Sequence, residues 1–175
     1  YKNLIGIDNL DGLNKLQKLQ LDNNIICKIE NLSHLTDLRW LDLSFNHIQK
    51  IEGLDTLANL TDLSLYANQI SVIEGLDNLK QLNIFSFGKN LVTNLDETTK
   101  YLRKLKNNLQ VLNMEDNPFN YQGQSDRDYK MFTICSLKNL QYLDYAYVTE
   151  DIRRRAENKF LEHVNDAEAQ AAAND

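Results

Sequence analysis

Apolar positions recur with a fixed period along most of this 175-residue chain. Leu16, Leu19 and Leu21 precede Asn24; Leu38, Leu41 and Leu43 precede Asn46; Leu60, Leu63 and Leu65 precede Asn68; Leu82, Phe85 and Phe87 precede Asn90. The four asparagines are 22 residues apart, and a fifth copy, Leu109, Leu112, Met114 and Asn117, follows after 27. Within each copy the last two apolar residues flank a residue of the opposite face, which predicts a short strand with one side buried. A second apolar set repeats between the copies. Ile26, Ile48, Ile70 and Val92 come first, then Ile29, Ile51, Ile73 and Leu95. Leu32, Leu54 and Leu76 follow, and Leu35, Leu57 and Leu79 complete the set. This spacing fits a return path of turns or single helical turns.

One copy cannot bury its apolar edge alone, so the copies must stack into a continuous core. The pattern L-x-x-L-x-L-x-x-N is the leucine-rich-repeat signature. The expected fold is an α/β solenoid, a right-handed superhelix with a short parallel sheet of about six strands on its concave face and a C-terminal helical cap. Residues 1–148 form the repeat domain, and residues 149–175 form a capping helix leading toward a coiled coil. The asparagines have a structural role here. Each turn after a strand leaves backbone N–H and C=O groups inside, and an Asn amide can meet both kinds. Leu4, Ile7, Leu10 and Leu13 align with Ile26, Ile29, Leu32 and Leu35 one period later, so the chain opens inside a repeat and a preceding N-terminal cap is expected.

The period breaks twice. Five extra residues before Asn117 read as a helix over 96–108, capped by Asp96, with Tyr101, Leu102 and Leu105 inward. Lys100, Arg103, Lys104 and Lys106 make its other side basic, either as a solvated face or as a docking patch for an acidic partner. After Asn117 and Pro118, a polar loop leads to a helix started by Ser125 and Asp128 and carrying Tyr129, Phe132 and Cys135. A last strand follows with Leu140, Leu143 and Tyr145, and Val148 stands where the next Asn would be. From Thr149 a helix bears the stripe Ile152, Ala156, Phe160 and Val164, with an Ala-rich end from Ala167 expected to fray or lead to a further helix.

The outward strand positions form columns on the concave face. They include Lys18, Trp40, Asp62, Ile84, Val111 and Tyr142 in one column, and Gln20, Asp42, Ser64, Ser86, Asn113 and Asp144 in the next. Across all columns six acids face two lysines. Trp40, Phe45 and Tyr66 are expected close together, flanked by Asp42 and Asp62. Trp40 and Tyr66 are the expected partner contacts, with Tyr142 further along; Phe45, next to the turn, is the one expected to pack on neighbouring strands. Aromatic side chains among charges are typical of interface hot spots. Acid around them predicts a basic helical or extended peptide partner.

Net charge is −6 with a pI near 5.1, which disfavours nucleic acid and anionic membrane as partners. No apolar run is long enough for a membrane span. The two cysteines, Cys27 and Cys135, lie far apart in the repeat frame and form no terminal cluster, which points to a reduced, intracellular setting. The chain has no Gly-rich phosphate loop and no H-E-x-x-H or C-x-x-C motif, so no enzyme, cofactor, metal site or small-molecule substrate is expected. His34 and His47 are expected to face solvent.

Several segments resemble a known family. They are Leu16–Asn24 (LQKLQLDNN), Trp40–Asn46 (WLDLSFN), Ile51–Leu65 (IEGLDTLANLTDLSL), Asp128–Phe132 (DYKMF) and Gln141–Tyr145 (QYLDY). Together they resemble the dynein regulatory complex subunit 3 family, the leucine-rich-repeat subunit of the nexin–dynein regulatory complex of motile cilia and flagella. The resemblance runs through most of residues 4–160. It implies a nonenzymatic scaffold of the axoneme, located in the cytoplasm and cytoskeleton of the cilium or flagellum. Its partners would be other subunits of that complex, a dynein arm or other axonemal proteins, and its function the regulation of dynein-driven motility. Long coiled-coil helices follow the repeats in that family. The expansion before Asn117 and the loop at 121–127 depart from it. The alternative is a regulatory subunit that binds a protein phosphatase or another enzyme through the concave face.

Overall fold

The computed structural model describes the backbone of residues 3–105, 108–120 and 126–173, and side chains over 3–105, 108–120 and 129–161. Each repeat contributes one short strand: β1 (Lys18–Gln20), β2 (Trp40–Asp42), β3 (Asp62–Ser64), β4 (Ile84–Ser86), β5 (Val111–Asn113) and β6 (Tyr142–Leu143). These pair in parallel and in chain order. The register joins equivalent positions, so Lys18, Trp40, Asp62, Ile84, Val111 and Tyr142 form one straight row. The next residue of each strand faces inward, and Leu41, Leu63, Phe85, Leu112 and Leu143 are buried. The return-path residues Ile26, Ile48, Ile70, Val92, Leu35, Leu57 and Leu79 are buried with them in one core. Truncating one such leucine, as in Leu41→Ala, is expected to cost about 2–5 kcal/mol.

Each strand ends in a turn whose residue before the Asn has positive φ, between 51° and 56° at Asn23, Phe45, Ala67, Lys89 and Asp116. For a non-glycine residue this conformation costs about 1–2 kcal/mol. The asparagine that follows offsets it. Asn68 Oδ1 accepts from Ile48 N–H at 2.9 Å, while its Nδ2 donates to the carbonyls of Leu43 and Leu65 at 3.0 and 3.1 Å. Asn46, Asn90 and Asn117 repeat this set. Asn24 accepts from Leu4 N–H but donates only to carbonyls of its own repeat. At this first repeat Ile7 is buried, while Leu4 and Leu13 are exposed.

The insertion is a helix, α1 (Leu95–Leu102), followed by a 3-10 turn over Arg103–Leu105. It is shorter than the expected 96–108 helix, and its cap is Asn94, not Asp96. Asn94 Oδ1 accepts from Glu97 N–H at 3.0 Å, and Asp96 instead lies in the first turn, where its charge meets the positive helix end. Leu102 and Leu105 are buried as expected, and Tyr101 is half-buried.

Helix α2 (Asp126–Ser136) buries Tyr129 and Cys135 and half-buries Phe132. The Ser125–Asp128 capping pair lies outside the described side chains. The last strand departs from the expected pattern. It stops at Leu143, because Asp144 and Tyr145 take φ of 46° and 66°. Two consecutive positive-φ residues make a tight hairpin. The chain therefore doubles back as β7 (Ala146–Tyr147), antiparallel to β6, and the sheet has seven strands. Tyr145, expected inward, is 76% exposed; Asp144, expected outward, is buried. Its Oδ1 accepts from Met114 N–H at 2.9 Å and its Oδ2 from the Tyr129 hydroxyl.

Helix α3 (Glu150–Ala173) starts where Thr149 Oγ1 accepts from Ile152 N–H. Ala156 is buried, Ile152 and Phe160 are half-buried, and the Phe160 ring meets Phe132 edge-on at 5.6 Å. Arg153 donates to the carbonyls of Ile134 and Leu140, joining α3 to the end of the repeat stack. The helix continues through the Ala-rich stretch to Ala173, where fraying or a separate helix was expected. Alanine has the highest helix propensity, so an Ala-rich segment readily extends a helix already nucleated. The Val164 side chain lies outside the described ones.

Candidate protein-binding face

Because strand residues alternate, the neighbours of each buried central leucine stand on the open sheet face. Trp40 is half-buried there, between Lys18 and Asp62. Asp42 is held by its own turn, its Oδ1 accepting from Ser44 N–H at 2.9 Å and from the Ser44 hydroxyl. Asp62 Oδ2 accepts from the Thr61 hydroxyl at 2.6 Å. Both carboxylates are thus oriented without a cationic partner among the described residues.

Phe45 and Tyr66 meet edge-on with ring centroids 5.7 Å apart. Phe45 is half exposed, and Tyr66 is half-buried. Lys89 Nζ lies 5.7 Å from the Tyr66 ring centre, and Glu115 Oε1 is 3.5 Å from its hydroxyl. Burial raises the Tyr66 phenol pKa; Lys89 opposes this and Glu115 adds to it. Trp40 does not join the pair as expected. It makes no ring contact with either residue, because it opens β2 while Phe45 lies in the turn beyond that strand, five positions further on. At the far end of the sheet Tyr142 is exposed and packs on Tyr147 across the hairpin at 5.3 Å. The face therefore carries three separate aromatic points.

Tyr145 is a residue of this face that the periodicity misplaced. Its ring projects from the hairpin turn, and its hydroxyl lies in the fields of Glu115 and Tyr66. Partial burial of that end, then Glu115 and the nearby Tyr66 phenol and Asp144, push its pKa up against Lys89. The stretch Tyr142 to Val148 reads equally well as one strand; only its two positive-φ residues turn it back.

The basic row on the inserted helix is not continuous. Lys100 and Lys104 are exposed, and Lys104 Nζ lies 5.1 Å from the Tyr101 ring centre. Arg103 turns toward the core with a buried Nε, since the 3-10 turn rotates it off the outer face; Lys106 lies outside the described residues. His47 is exposed as expected. His34 is not, because its Nε2 reaches the Leu10 carbonyl of the previous repeat at 2.8 Å and ties the two together. On the return side an open hollow of about 640 Å³ lies between Ser71–Asp77 and α1. The Tyr101 hydroxyl closes its floor, accepting from Leu76 N–H and donating to Asp77 at 2.8 and 2.9 Å. Burial first, and then Asp77, push this phenol up to about 12, against the Leu76 hydrogen bond.

A stiff sheet that displays side chains in straight columns defines a protein-interaction scaffold. Residues 15–173 match the leucine-rich-repeat family, and the chain belongs to it. No curated protein matches the chain. Among solved structures it is similar to an internalin, InlF, from Listeria monocytogenes, at 29% identity and a TM-score of 0.62. That match covers 77% of this chain but 36% of the internalin, so the chain spans about a third of that protein's length. It is also similar to the Drosophila melanogaster SNF/U2A′ complex structure, with a TM-score of 0.70, 24% identity and 87% of each chain covered. Among the described residues no helix is long and apolar enough to cross a membrane.

Proposed function

We propose that this domain is a nonenzymatic scaffold that grips a partner protein along its sheet face, as part of the nexin–dynein regulatory complex of the ciliary axoneme. The Phe45–Tyr66 pair carries the binding half of this reading. Two aromatic rings meet edge-on on the open side of the sheet beside Glu115 and Lys89. The ring faces, with Trp40 and the oriented carboxylates of Asp42 and Asp62, suit a basic peptide surface. The axonemal half is supported by the family resemblance of the segments around Trp40, Ile51 and Gln141. Helix α3, running to Ala173, is consistent with a coiled coil starting there. Other regulatory-complex subunits, a dynein arm or another axonemal protein are the partners this reading proposes.

Two experiments test the halves separately. Trp40→Ala and Tyr66→Ala are expected to weaken capture of axonemal partners while leaving the melting temperature within a few degrees of wild type; parallel loss of both would make these residues structural. A tagged chain in a ciliated cell is expected along the axoneme, and a signal confined to cytosol or nucleus would remove the ciliary assignment. The second reading is a subunit that regulates a protein phosphatase or another enzyme through the same face. The α2–β6 cap favours it, since phosphatase-type relatives share a similar C-terminal cap. Co-purification with phosphatase activity, lost in Trp40→Ala, would select it.

A further inference from the structure

Asn113 closes β5 with its side chain on the sheet face, because Leu112 before it points into the core. Its counterparts on β1 to β4, Gln20, Asp42, Ser64 and Ser86, are all at least partly open to solvent, and the buried Asp144 beyond it is hydrogen-bonded. Asn113 is not: it is 6% exposed, and neither its Oδ1 nor its Nδ2 has a hydrogen-bond partner among the described residues. What crowds it can be read at Gly88. A Cβ there would stand 2.3 Å from Asn113 Oδ1 and 2.7 Å from Tyr66 Cε2. The amide and the Tyr66 ring therefore share the space that a side chain at 88 would fill, and the ring shields the amide. A buried amide without partners is destabilising. Nothing in the repeat requires one at this position, since the neighbouring strands place serine or aspartate there.

The polar and ring contacts of Tyr66 are weak ones. They are a 3.5 Å approach to Glu115, the Lys89 ammonium, and the edge of the exposed Phe45 ring. The geometry points to Asn113 as a recognition residue kept under Tyr66: a basic peptide segment in extended conformation displaces the ring, and the amide then exchanges a pair of hydrogen bonds with one peptide unit of that segment. An Asn side chain offers one acceptor and two donors, which complements the N–H and C=O of an extended chain. A helical partner has already committed both groups internally. Gly88 lets the incoming backbone approach closely. Glu115 and Asp116, with Asp42 and Asp62 further along, outnumber Lys89 and favour positive charge on the segment. This inference rests on the sheet face being the binding face.

The test uses two mixed peptide pools of equal Lys/Arg content, one built on Thr and Val, the other on Ala and Leu. The ¹⁵N-labelled chain is titrated with each, following affinity and the Asn113 side-chain amide signals. The strand-favouring pool is expected to bind more tightly and to move those signals downfield. Asn113→Ala is expected to weaken it about tenfold while holding or raising the melting temperature. If Asn113→Ala lowers the melting temperature and leaves affinity unchanged, the amide is structural and the inference fails. If the helix-favouring pool binds as well or better, with Trp40→Ala weakening it, the extended partner is excluded while the sheet-face reading survives. If neither pool binds, or if Trp40→Ala, Tyr66→Ala and Asn113→Ala all leave binding untouched, both readings fall.

Discussion

In the central repeats the inward backbone groups are met by one side chain that recurs every 22 residues; at the C-terminal end they are met by side chains that occur once. Asn68 bridges two repeats through Ile48 N–H and the Leu43 and Leu65 carbonyls, and identical neighbours do the same on either side. At the end of the stack the hairpin at Asp144–Tyr145 removes the next strand carbonyl. In earlier repeats such a carbonyl accepts from the residue just after the preceding strand, as when Leu65 N–H bonds Ser86 O at 2.7 Å. Here the Asp144 carboxylate takes its place and accepts from Met114 N–H. Tyr129 and Lys130 of α2 complete its shell, Lys130 Nζ at 3.9 Å. The difference shows how a solenoid stops. A repeating solution serves only while another repeat follows, and ending it needs a charge, a turn and a helix fitted to one another.

The contrast can be broken from either side. Asn68→Ala leaves Ile48 N–H without its acceptor and takes one of two Asn donors from each of the Leu43 and Leu65 carbonyls, and is expected to lower unfolding free energy by about 4 kcal/mol. The loss should appear as a lower urea midpoint at unchanged m-value. Asp144→Ala takes the acceptor from Met114 N–H and removes the bonds from the Tyr129 hydroxyl and Lys130, and is expected to cost about 3 kcal/mol. Its effect should be local: hydrogen exchange should quicken at Met114 and through α2 while β2 and β3 stay protected, as nearest-neighbour coupling requires. Uniform exchange across all repeats would mean that the end is no separate unit. Arg153→Ala removes two charge-assisted bonds and is expected to cost about 2 kcal/mol, again with the loss confined to α3 and the last repeat.

Two smaller effects sharpen the picture. Tyr101 has a folded-state pKa of about 12 against an ordinary 10.0. The unfolded chain therefore loses this proton first as pH rises. Stability from this group is complete below about pH 10 and falls as pH climbs toward 12. Tyr101→Phe should make the alkaline decline of the melting temperature shallower, at a modest cost at neutral pH from the unpaired Leu76 N–H. The smallest change is expected for Phe45→Asn. Relief of a left-handed aromatic residue, about 1 kcal/mol, nearly cancels the lost Tyr66 ring contact, about 1 kcal/mol. Partner capture should fall while stability stays level, and a drop in both would assign Phe45 to the fold.

The aliphatic period alone determined the stack, its parallel register, the Asn ladder and the columns of the sheet face. Each of these depends on contacts between positions one period apart, which a one-dimensional pattern encodes directly. The tertiary structure decided the rest. It separated Trp40 from the Phe45–Tyr66 pair, drew Asp144 inward, pushed Tyr145 out, turned Arg103 off the basic row and hid Asn113 beside Tyr66. The period sets the rows of Trp40 and Asn113 but not what their side chains touch, and Asp144, Tyr145 and Arg103 leave it altogether. Where each side chain goes depends on which neighbour has left room, as Gly88 does for Tyr66 and the Asn113 amide, and on a two-residue turn that no repeat announces.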